Sequence, residues 1–153
     1  MKKTDIAYMA GIIDGEGCIG IHRAGKKPNG NPQYFLRVVI GMCNEYIPNL
    51  FRFYFGGQVI FCQPRKENWN PQWRWAVTYE QAAQCLKILL PYLRLKRDEA
   101  ILGLKFQSNK KHRGSPKGQN GGGIPETEED LALQEIQRLL MHNLKNKSGV
   151  TNE

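Results

Sequence analysis

The chemistry that this sequence can perform centres on Glu16, a carboxylate that follows a predicted helix over residues 6–14. The step Gly15-Glu16-Gly17 ends the helical pattern, because glycine disfavours continuation of a helix. The last carbonyl groups of a helix lack partners within it and carry partial negative charge. The Glu16 carboxylate and the Gly15 carbonyl therefore form a group of hard oxygen donors. We expect them to hold Mg²⁺, and Mn²⁺ or Ca²⁺ can occupy the same site.

The same helix carries short side chains at spacings i, i+3, i+4 and i+7, at Ala7, Ala10, Gly11 and Asp14. Such a face lets another helix approach closely. Packing within its own domain explains the alanines equally well. If two copies of the helix pack side by side, their Glu16 carboxylates come close together, and divalent cations relieve the repulsion. Metal ions held in this way activate water and stabilise the leaving oxygen of a phosphodiester, so the pattern predicts a nuclease that is a symmetric homodimer.

The segment MAGIIDGEG at residues 9–17 resembles the signature of the LAGLIDADG homing endonucleases. The positions identical to that signature are Ala10, Gly11, Ile13, Asp14 and Gly17, and Glu16 stands for its second aspartate. The glycine pair at 56–57 and the stretch PYLRLK at 91–96 extend the resemblance to about residues 5–107. A nine-residue motif at a helix end is much more specific than an isolated glycine pattern.

The resemblance implies an intron-encoded, site-specific endonuclease that makes a double-strand break with cohesive 3' overhangs in a long, nearly palindromic DNA target. It implies metal-dependent phosphodiester hydrolysis by a homodimer, with Glu16 as metal ligand and Lys96 beside the active-site water. Asn44 matches a residue that positions solvent in the family, and a helix N-cap explains it equally well. Asp14 is assigned to the helix end or to the dimer interface. Pro48 stands where relatives carry a basic residue, so we expect the solvent network to differ there.

A non-cleaving nucleic-acid-binding protein of the same fold, either an intron RNA maturase or a DNA-binding regulator, is the alternative function. The presence of both Glu16 and Lys96 favours the nuclease, since copies that no longer cut can lose the metal ligand. A structural dimer that uses the helix for packing alone leaves the basic charge of the chain unexplained.

That basic charge indicates a polyanionic partner. The chain has 22 Lys and Arg against 14 Asp and Glu, a formal net charge of +8 and a sequence pI near 9.4. These values suit double-stranded DNA, and we expect no small-molecule substrate. No apolar run approaches the roughly 20 residues of a membrane-spanning helix, and the first residues lack the apolar region of a signal peptide. We therefore expect no membrane partner and an intracellular location, in an organelle (chloroplast or mitochondrion) or in prokaryotic cytoplasm.

Hydrophobic periodicity predicts an α+β domain of element order αββαββα, with an antiparallel DNA-binding sheet and an added C-terminal helix. Residues 1–107 are expected to form the endonuclease core and 108–124 a basic, Gly-rich connection. Residues 125–147 are expected to form the C-terminal helix of the same domain, and 148–153 a disordered tail. That helix carries an apolar stripe, typical of a helix that packs on a core, at Leu133, Ile136, Leu140 and Leu144.

The strands predicted at 18–24 and 34–43 form a hairpin, and a two-stranded ribbon can enter the major groove of DNA. Alternation directs the core face to Ile19, Ile21, Leu36, Val38 and Ile40, and hence His22 and Arg37 to the opposite face. In the second hairpin, Gln72 and Arg74 alternate with two tryptophans that we assign to the core, Trp73 and Trp75. Trp69, in a polar turn, is the one tryptophan for which stacking on an exposed base stays open.

Arg37 and Arg74 are the best candidates for base contacts, because a guanidinium group pairs bidentately with guanine. Lys110, Lys111 and Arg113 are expected to contact phosphates. The full set of predicted DNA-binding residues is His22, Lys26, Lys27, Asn29, Asn31, Gln33, Arg37, Gln72, Arg74, Lys110, Lys111 and Arg113.

Overall fold

The computed structural model describes residues 1–26, 32–64, 66–111 and 126–148, with the backbone alone at Lys26, Lys111, Lys147 and Ser148. Within these ranges the helices are α1 (Lys3–Glu16), α2 (Tyr46–Phe55), α3 (Tyr79–Leu89), α4 (Arg97–Lys111) and α5 (Glu128–Ser148). The strands are β1 (Gly17–Lys26), β2 (Pro32–Met42), β3 (Gln58–Cys62) and β4 (Gln72–Thr78). The predicted α+β class and the αββαββα order, with further helices at the end, are confirmed.

The strands form one antiparallel sheet in the order β1-β2-β4-β3, so both hairpins meet through β2 and β4. His22 lies opposite Phe35, Gly41 lies opposite Arg74, and Ile60 lies opposite Arg74 on its other side. The predicted core positions Ile19, Ile21, Leu36, Val38 and Ile40 are all buried. Because side chains alternate along a strand, the opposite face of the sheet is the one that carries His22 and Arg37. We call this second surface the groove face.

The helices α1 to α4 cover the buried face of the sheet. Met9 from α1, Phe51 from α2, Leu86 from α3 and Phe106 from α4 have no exposed surface. Phe51 packs against Trp75 with ring centroids 4.9 Å apart, and such aromatic contacts add to the free energy of burial. The assignment of Trp75 to the core is confirmed. Trp73 is only half-buried and packs against Phe61, at the margin of the core.

The turn after α2 depends on two glycines, Gly56 and Gly57, which have φ angles of +70° and +84°. Residues with a side chain rarely adopt this left-handed region, because their Cβ clashes with the backbone, whereas glycine has no Cβ. A Cβ on Gly57 would lie 2.5 Å from the carbonyl oxygen of Ala76. The close approach lets the Trp75 indole donate a hydrogen bond of 2.8 Å to the Gly56 carbonyl. The turn therefore fixes α2 against the centre of the sheet.

The end of α1 differs from the prediction. The helix does not stop before Gly15 but continues through Glu16, and Gly17 then donates its backbone N–H to the Ile13 carbonyl. A single exposed glycine lowers helix propensity by about 1 kcal/mol, which the packing of the surrounding helix overrides. Glu16 is therefore the last residue of α1 and directly precedes β1.

The apolar stripe predicted to pack in the C-terminal helix is also wrong. Leu133, Ile136 and Leu140 are 45%, 54% and 48% exposed, and the buried residues are Gln134, Gln137 and Met141. The reason is that α5 packs on α4 and the edge strand β1 with a different side, from which Met141 and Leu131 reach the core. Polar side chains also take part in this contact, since the Lys145 ammonium nitrogen of α5 lies 3.1 Å from the Cys18 sulfur of β1.

Part of the predicted basic connection is helical, because α4 runs as far as Lys111. The predicted DNA contacts Lys27, Asn29, Asn31 and Arg113 lie outside the described residues, as do most of the connection and the end of the tail. Among the described helices, none is long and apolar enough to cross a membrane.

Candidate functional site

Asp14 ties the end of α1 to the segment that leads into α4. One carboxylate oxygen accepts the backbone N–H of Arg94 at 2.8 Å, and the other accepts that of Lys96 at 2.9 Å. These are charge-assisted hydrogen bonds between residues far apart in the sequence, and each stabilises this junction more than a neutral bond does. Asp14 therefore serves the helix end, the first of its two predicted roles, and its carboxylate is engaged within its own chain.

Lys96 lies at the same junction and caps α1. Its ammonium group donates hydrogen bonds of 3.0 Å to the Ile13 carbonyl and 2.5 Å to the Asp14 carbonyl. A cation at this position pairs the last carbonyl groups of the helix and opposes its negative end. The structure thus brings Lys96 to the end of α1 that carries Glu16, as expected, and adds a structural role.

Glu16 and Gly15 are exposed at the end of α1. The carboxylate and the nearby carbonyl oxygens are hard donors that fit Mg²⁺ or Ca²⁺. Within the described ranges no cluster of three or more His, Cys, Asp or Glu residues could hold a metal ion.

The exposed side of α1 carries small residues. Ala7, Gly11 and Gly15 are exposed at spacings of four residues, and a Cβ added to either glycine would meet nothing within 4 Å. Ala10, predicted to lie at the dimer interface, has no exposed surface and packs in the core of its own chain, so that prediction is wrong. The spacing i, i+3 placed Ala10 on the wrong side of the helix. We call Ala7, Gly11 and Gly15 the small-residue face.

Asn44 forms part of the turn before α2. Its side-chain oxygen accepts the backbone N–H of Tyr46 at 2.7 Å, which forms a local turn. The N-cap residue of α2 is Glu45, so the predicted N-cap role of Asn44 is wrong by one residue. Pro48 is buried within the first turn of α2, where the absence of an N–H group costs no helical hydrogen bond. The arrangement explains both residues by local structure, and the solvent-positioning role of Asn44 stays a prediction.

The groove face brings together the predicted base-reading residues. Arg37 is half-buried, whereas Gln72 and Arg74 are exposed. Gln72 and Arg74 also line a cavity of about 630 Å³ together with Trp69, Cys43 and Cys62. The amide and guanidinium groups are the donors and acceptors that read base edges, so this part of the sheet suits the major groove.

An aromatic row crosses the groove face beside His22. The His22 ring stacks on Phe35 with centroids 5.7 Å apart, and Phe35 contacts Tyr79 at 5.5 Å. The Gln33 amide donates a 2.8 Å hydrogen bond to the Tyr79 hydroxyl, so Gln33 is positioned by this row. The sequence reasoning missed Phe35, although its alternation with Leu36 places it on this face.

The groove face carries a positive potential near His22. Burial lowers the pKa of His22 below its usual 6.5, and the positive charges of Arg37 and Lys145 lower it further. A positive field of this kind attracts phosphate groups. Lys145 was not among the predicted site residues.

Lys110, a predicted phosphate contact, has partners within its own chain. Its ammonium group donates a hydrogen bond to the Tyr34 carbonyl and lies 3.8 Å from a Glu126 carboxylate oxygen. It also sits 5.4 Å from the centre of the Phe106 ring. These contacts tie α4 to β2 and to the start of α5, so Lys110 has a structural role, and its contact with phosphate stays a prediction.

Several solved structures have the same fold. A homing endonuclease I-CvuI crystallised with the I-CreI target in the presence of Mg is 21% identical, with a TM-score of 0.69 over 99% of this chain and 85% of that chain. The archaeal intron-encoded homing endonuclease I-Vdi141I complexed with DNA is 12% identical, with a TM-score of 0.61 over 91% of this chain and 99% of that chain. The I-SmaMI LAGLIDADG homing endonuclease bound to cleaved DNA is 18% identical, with a TM-score of 0.63 over 88% of this chain and 42% of that chain.

No protein-family model and no curated protein matches the sequence. The chain has the LAGLIDADG homing endonuclease fold that its motif predicts. At these identities the likeness establishes the fold, and the activity rests on the residues of the site.

Proposed function

We propose that this protein is a site-specific homing endonuclease that binds double-stranded DNA as a homodimer and cuts both strands by metal-dependent hydrolysis. The observation that carries the proposal is the exposed Glu16 carboxylate at the end of a helix that exposes Ala7, Gly11 and Gly15 on one side. The break is expected to leave cohesive 3' overhangs in a long, nearly palindromic target, and the gene is expected to be intron-encoded.

The homodimer follows from the small-residue face. With no Cβ at Gly11 or Gly15, a second α1 can approach this side of the helix closely. Two-fold packing would then bring both Glu16 carboxylates to the axis, where cations relieve their repulsion. The I-SmaMI chain, of which this chain covers 42%, has room for two such units in one polypeptide. A dimer of this shorter chain would supply the same number of units.

The metal-binding group consists of Glu16, the Gly15 carbonyl and, from the partner subunit, the same atoms. Bound Mg²⁺ would lower the pKa of a water molecule and stabilise the leaving oxygen of the phosphodiester. The ammonium group of Lys96, which bonds the carbonyl groups of Ile13 and Asp14 in the same last turn of α1, would add positive charge where negative charge develops on the phosphate. The Asp14 carboxylate holds Lys96 in place by accepting the backbone N–H of Lys96.

DNA binding is assigned to the groove face. Arg37, Gln72 and Arg74 would read base edges in the major groove, with His22 and Gln33 held by the aromatic row. This arrangement would place the sheet along the groove and the ends of both α1 helices at the centre of the target.

The experiment is a cleavage assay on a randomised duplex library. Purified protein with Mg²⁺ is expected to cut both strands of a subset of sequences, and sequencing of the captured ends gives the target and the overhang. Glu16→Gln purified in the same way controls for contaminating nuclease, and a reaction with Ca²⁺ or with chelator tests the dependence on Mg²⁺. Binding to a selected duplex without any cutting in Mg²⁺ or Mn²⁺ would instead support the non-cleaving alternative.

Sedimentation of the protein–DNA complex tests the homodimer. We expect two chains per duplex, and one chain per duplex would refute the homodimer.

A further inference from the structure

A small cavity lies where the C-terminal helix α5 reaches the edge strand β1. It has a volume of about 150 Å³ and is lined by Gly17, Cys18, Lys96, Glu99 and Lys145. Gly17 and Cys18 directly follow Glu16 in the chain, so the cavity opens beside the proposed metal ligand. Of the side chains around it, two are cationic and one is a carboxylate.

Lys145 reaches this cavity from the end of α5. Its ammonium nitrogen lies 3.1 Å from the Cys18 sulfur, although the two residues are 127 positions apart in the sequence. A Cβ on Gly20 would lie 3.2 Å from the same nitrogen, closer than an ordinary contact. The glycine in β1 thus leaves the space that the ammonium group occupies. Lys145 is held against the strand that begins at the catalytic end of α1.

Glu99 supplies the negative charge at this cavity. The residue is 4% exposed, and its Oε2 atom has no hydrogen-bond partner among the described residues. Burial raises the pKa of Glu99, whereas the positive charges of Lys145 and Lys96 lower it. A buried carboxylate is tolerated when cations lie close to it. Glu99 therefore partly balances the positive charge of the two ammonium groups that line the cavity with it.

The cations outnumber the carboxylate at this cavity, and the positive field extends along β1 to the groove face. Lys145 and Arg37 both act on His22, which lies two residues beyond Gly20. An anion that approaches the end of α1 from the groove face meets this field first. In a nuclease, that anion is the sugar-phosphate backbone of the strand near the cut.

We propose that Lys145 is a phosphate-binding residue of the active site, which together with Lys96 holds a phosphodiester oxygen of the DNA strand that enters the cavity beside Glu16. The inference rests on the proposed function for the identity of the ligand. An ammonium group has three donors, so Lys145 can keep its contact with β1 and also bind an oxygen of the phosphate. A charge-assisted bond of this kind strengthens as negative charge develops on the phosphate during cleavage.

The test uses a duplex selected by binding in Ca²⁺ from a randomised library, because that selection does not require cleavage. The affinity of wild type and of Lys145→Gln is measured in Ca²⁺ over a series of salt concentrations. Each lost phosphate contact makes the slope of log K against log salt shallower by about 0.9, so a dimer should lose about 2. Lys105→Gln, which removes an exposed lysine from the outer side of α4, is the matched control and should keep the wild-type slope.

Two further variants separate the loss of a phosphate contact from any destabilisation caused by removing a positive charge near Glu99. Lys145→Arg keeps the charge and should keep the slope. The double variant Lys145→Gln/Glu99→Gln leaves no unpaired buried carboxylate and should show the same reduced slope as the single one, with the melting temperature restored. A wild-type slope in both Gln variants would overturn the proposal.

Cleavage provides the second measurement on the same duplex. In Mg²⁺ with protein in excess, Lys145→Gln is expected to cut about 100-fold more slowly than wild type, and Lys105→Gln at the wild-type rate. If wild type binds the duplex but never cuts it, the endonuclease proposal fails while the salt slopes still decide whether Lys145 binds phosphate. If wild type cuts the duplex but Lys145→Gln keeps the wild-type salt slope, the proposed role of Lys145 is refuted and the endonuclease proposal stands.

Discussion

The two sides of the last turn of α1 use their polar groups in opposite ways. On the inner side, Asp14 accepts two backbone N–H groups and Lys96 donates to two carbonyl groups, so the junction with α4 is fixed by hydrogen bonds. On the outer side, Gly11, Gly15 and Glu16 are exposed. The difference teaches that two acids only two residues apart can serve separate purposes, one holding the helix end and the other presenting a carboxylate.

The inner side predicts the largest loss of stability. Asp14→Asn keeps one acceptor oxygen but turns an NH2 group towards the other backbone N–H, so one charge-assisted bond is lost and the second loses its charge. The free energy of unfolding should fall by about 2 kcal/mol. Glu16→Gln, an exposed change two residues along, should stay within about 0.5 kcal/mol of wild type. Urea denaturation of both variants measures the difference. Equal stabilities would show that the Asp14 bonds do not hold the junction.

The outer side predicts effects of opposite sign on folding and association. Gly11→Ala should raise the free energy of unfolding of the isolated chain by up to about 1 kcal/mol, because the added Cβ meets nothing within 4 Å and alanine favours a helix. The same Cβ should weaken self-association measured by sedimentation. The matched control is another helical glycine, Gly103, where a Cβ would lie 2.8 Å from Leu36 and should destabilise the fold. Unchanged association in Gly11→Ala would place the dimer interface elsewhere.

The smallest expected effect concerns how α5 is held to the sheet. A hydrogen bond from Arg138 holds the pKa of Glu135 at about 2, and a bond with Tyr34 adds to this effect. Because the pKa in the folded state lies below the usual 4.5, this contribution to stability is present above pH 4.5 and is lost as pH falls towards 2. Glu135→Gln should therefore flatten the stability profile over this range, measured by thermal unfolding. A profile as steep as that of wild type would exclude Glu135 as a source of acid sensitivity.

Local patterns predicted the features that depend on local chemistry. Alternation identified the core face of β1 and β2, and the motif at residues 9–17 identified Glu16 at a helix end. Amphipathic patterns were less informative, since they show that a face is apolar without showing which element covers it. That is why the stripe at Leu133, Ile136 and Leu140 was assigned to packing although it is exposed, and why Ala10 was placed on the wrong side of α1.

Contacts between distant segments could not be predicted. Lys145 meets Cys18 across 127 positions, and Lys110 meets Tyr34 across 76, so no spacing in the sequence signals either contact. The same holds for Asp14 and Lys96, which are 82 residues apart in the sequence and come into contact only in the folded chain. The resemblance placed Lys96 near the site, but its capping of α1 required the structure.

The most direct test of the account compares binding and cutting by Glu16→Gln. The exposed position predicts that the variant folds like wild type and binds the selected duplex in Ca²⁺ with an affinity within about threefold, the ordinary scale for a surface change. With Mg²⁺ and protein in excess, the rate of strand cleavage should fall by at least about 1,000-fold, because the carboxylate that holds the metal ions is gone. Cleavage by Glu16→Gln at the wild-type rate would contradict the central claim that this residue is the metal ligand of the active site.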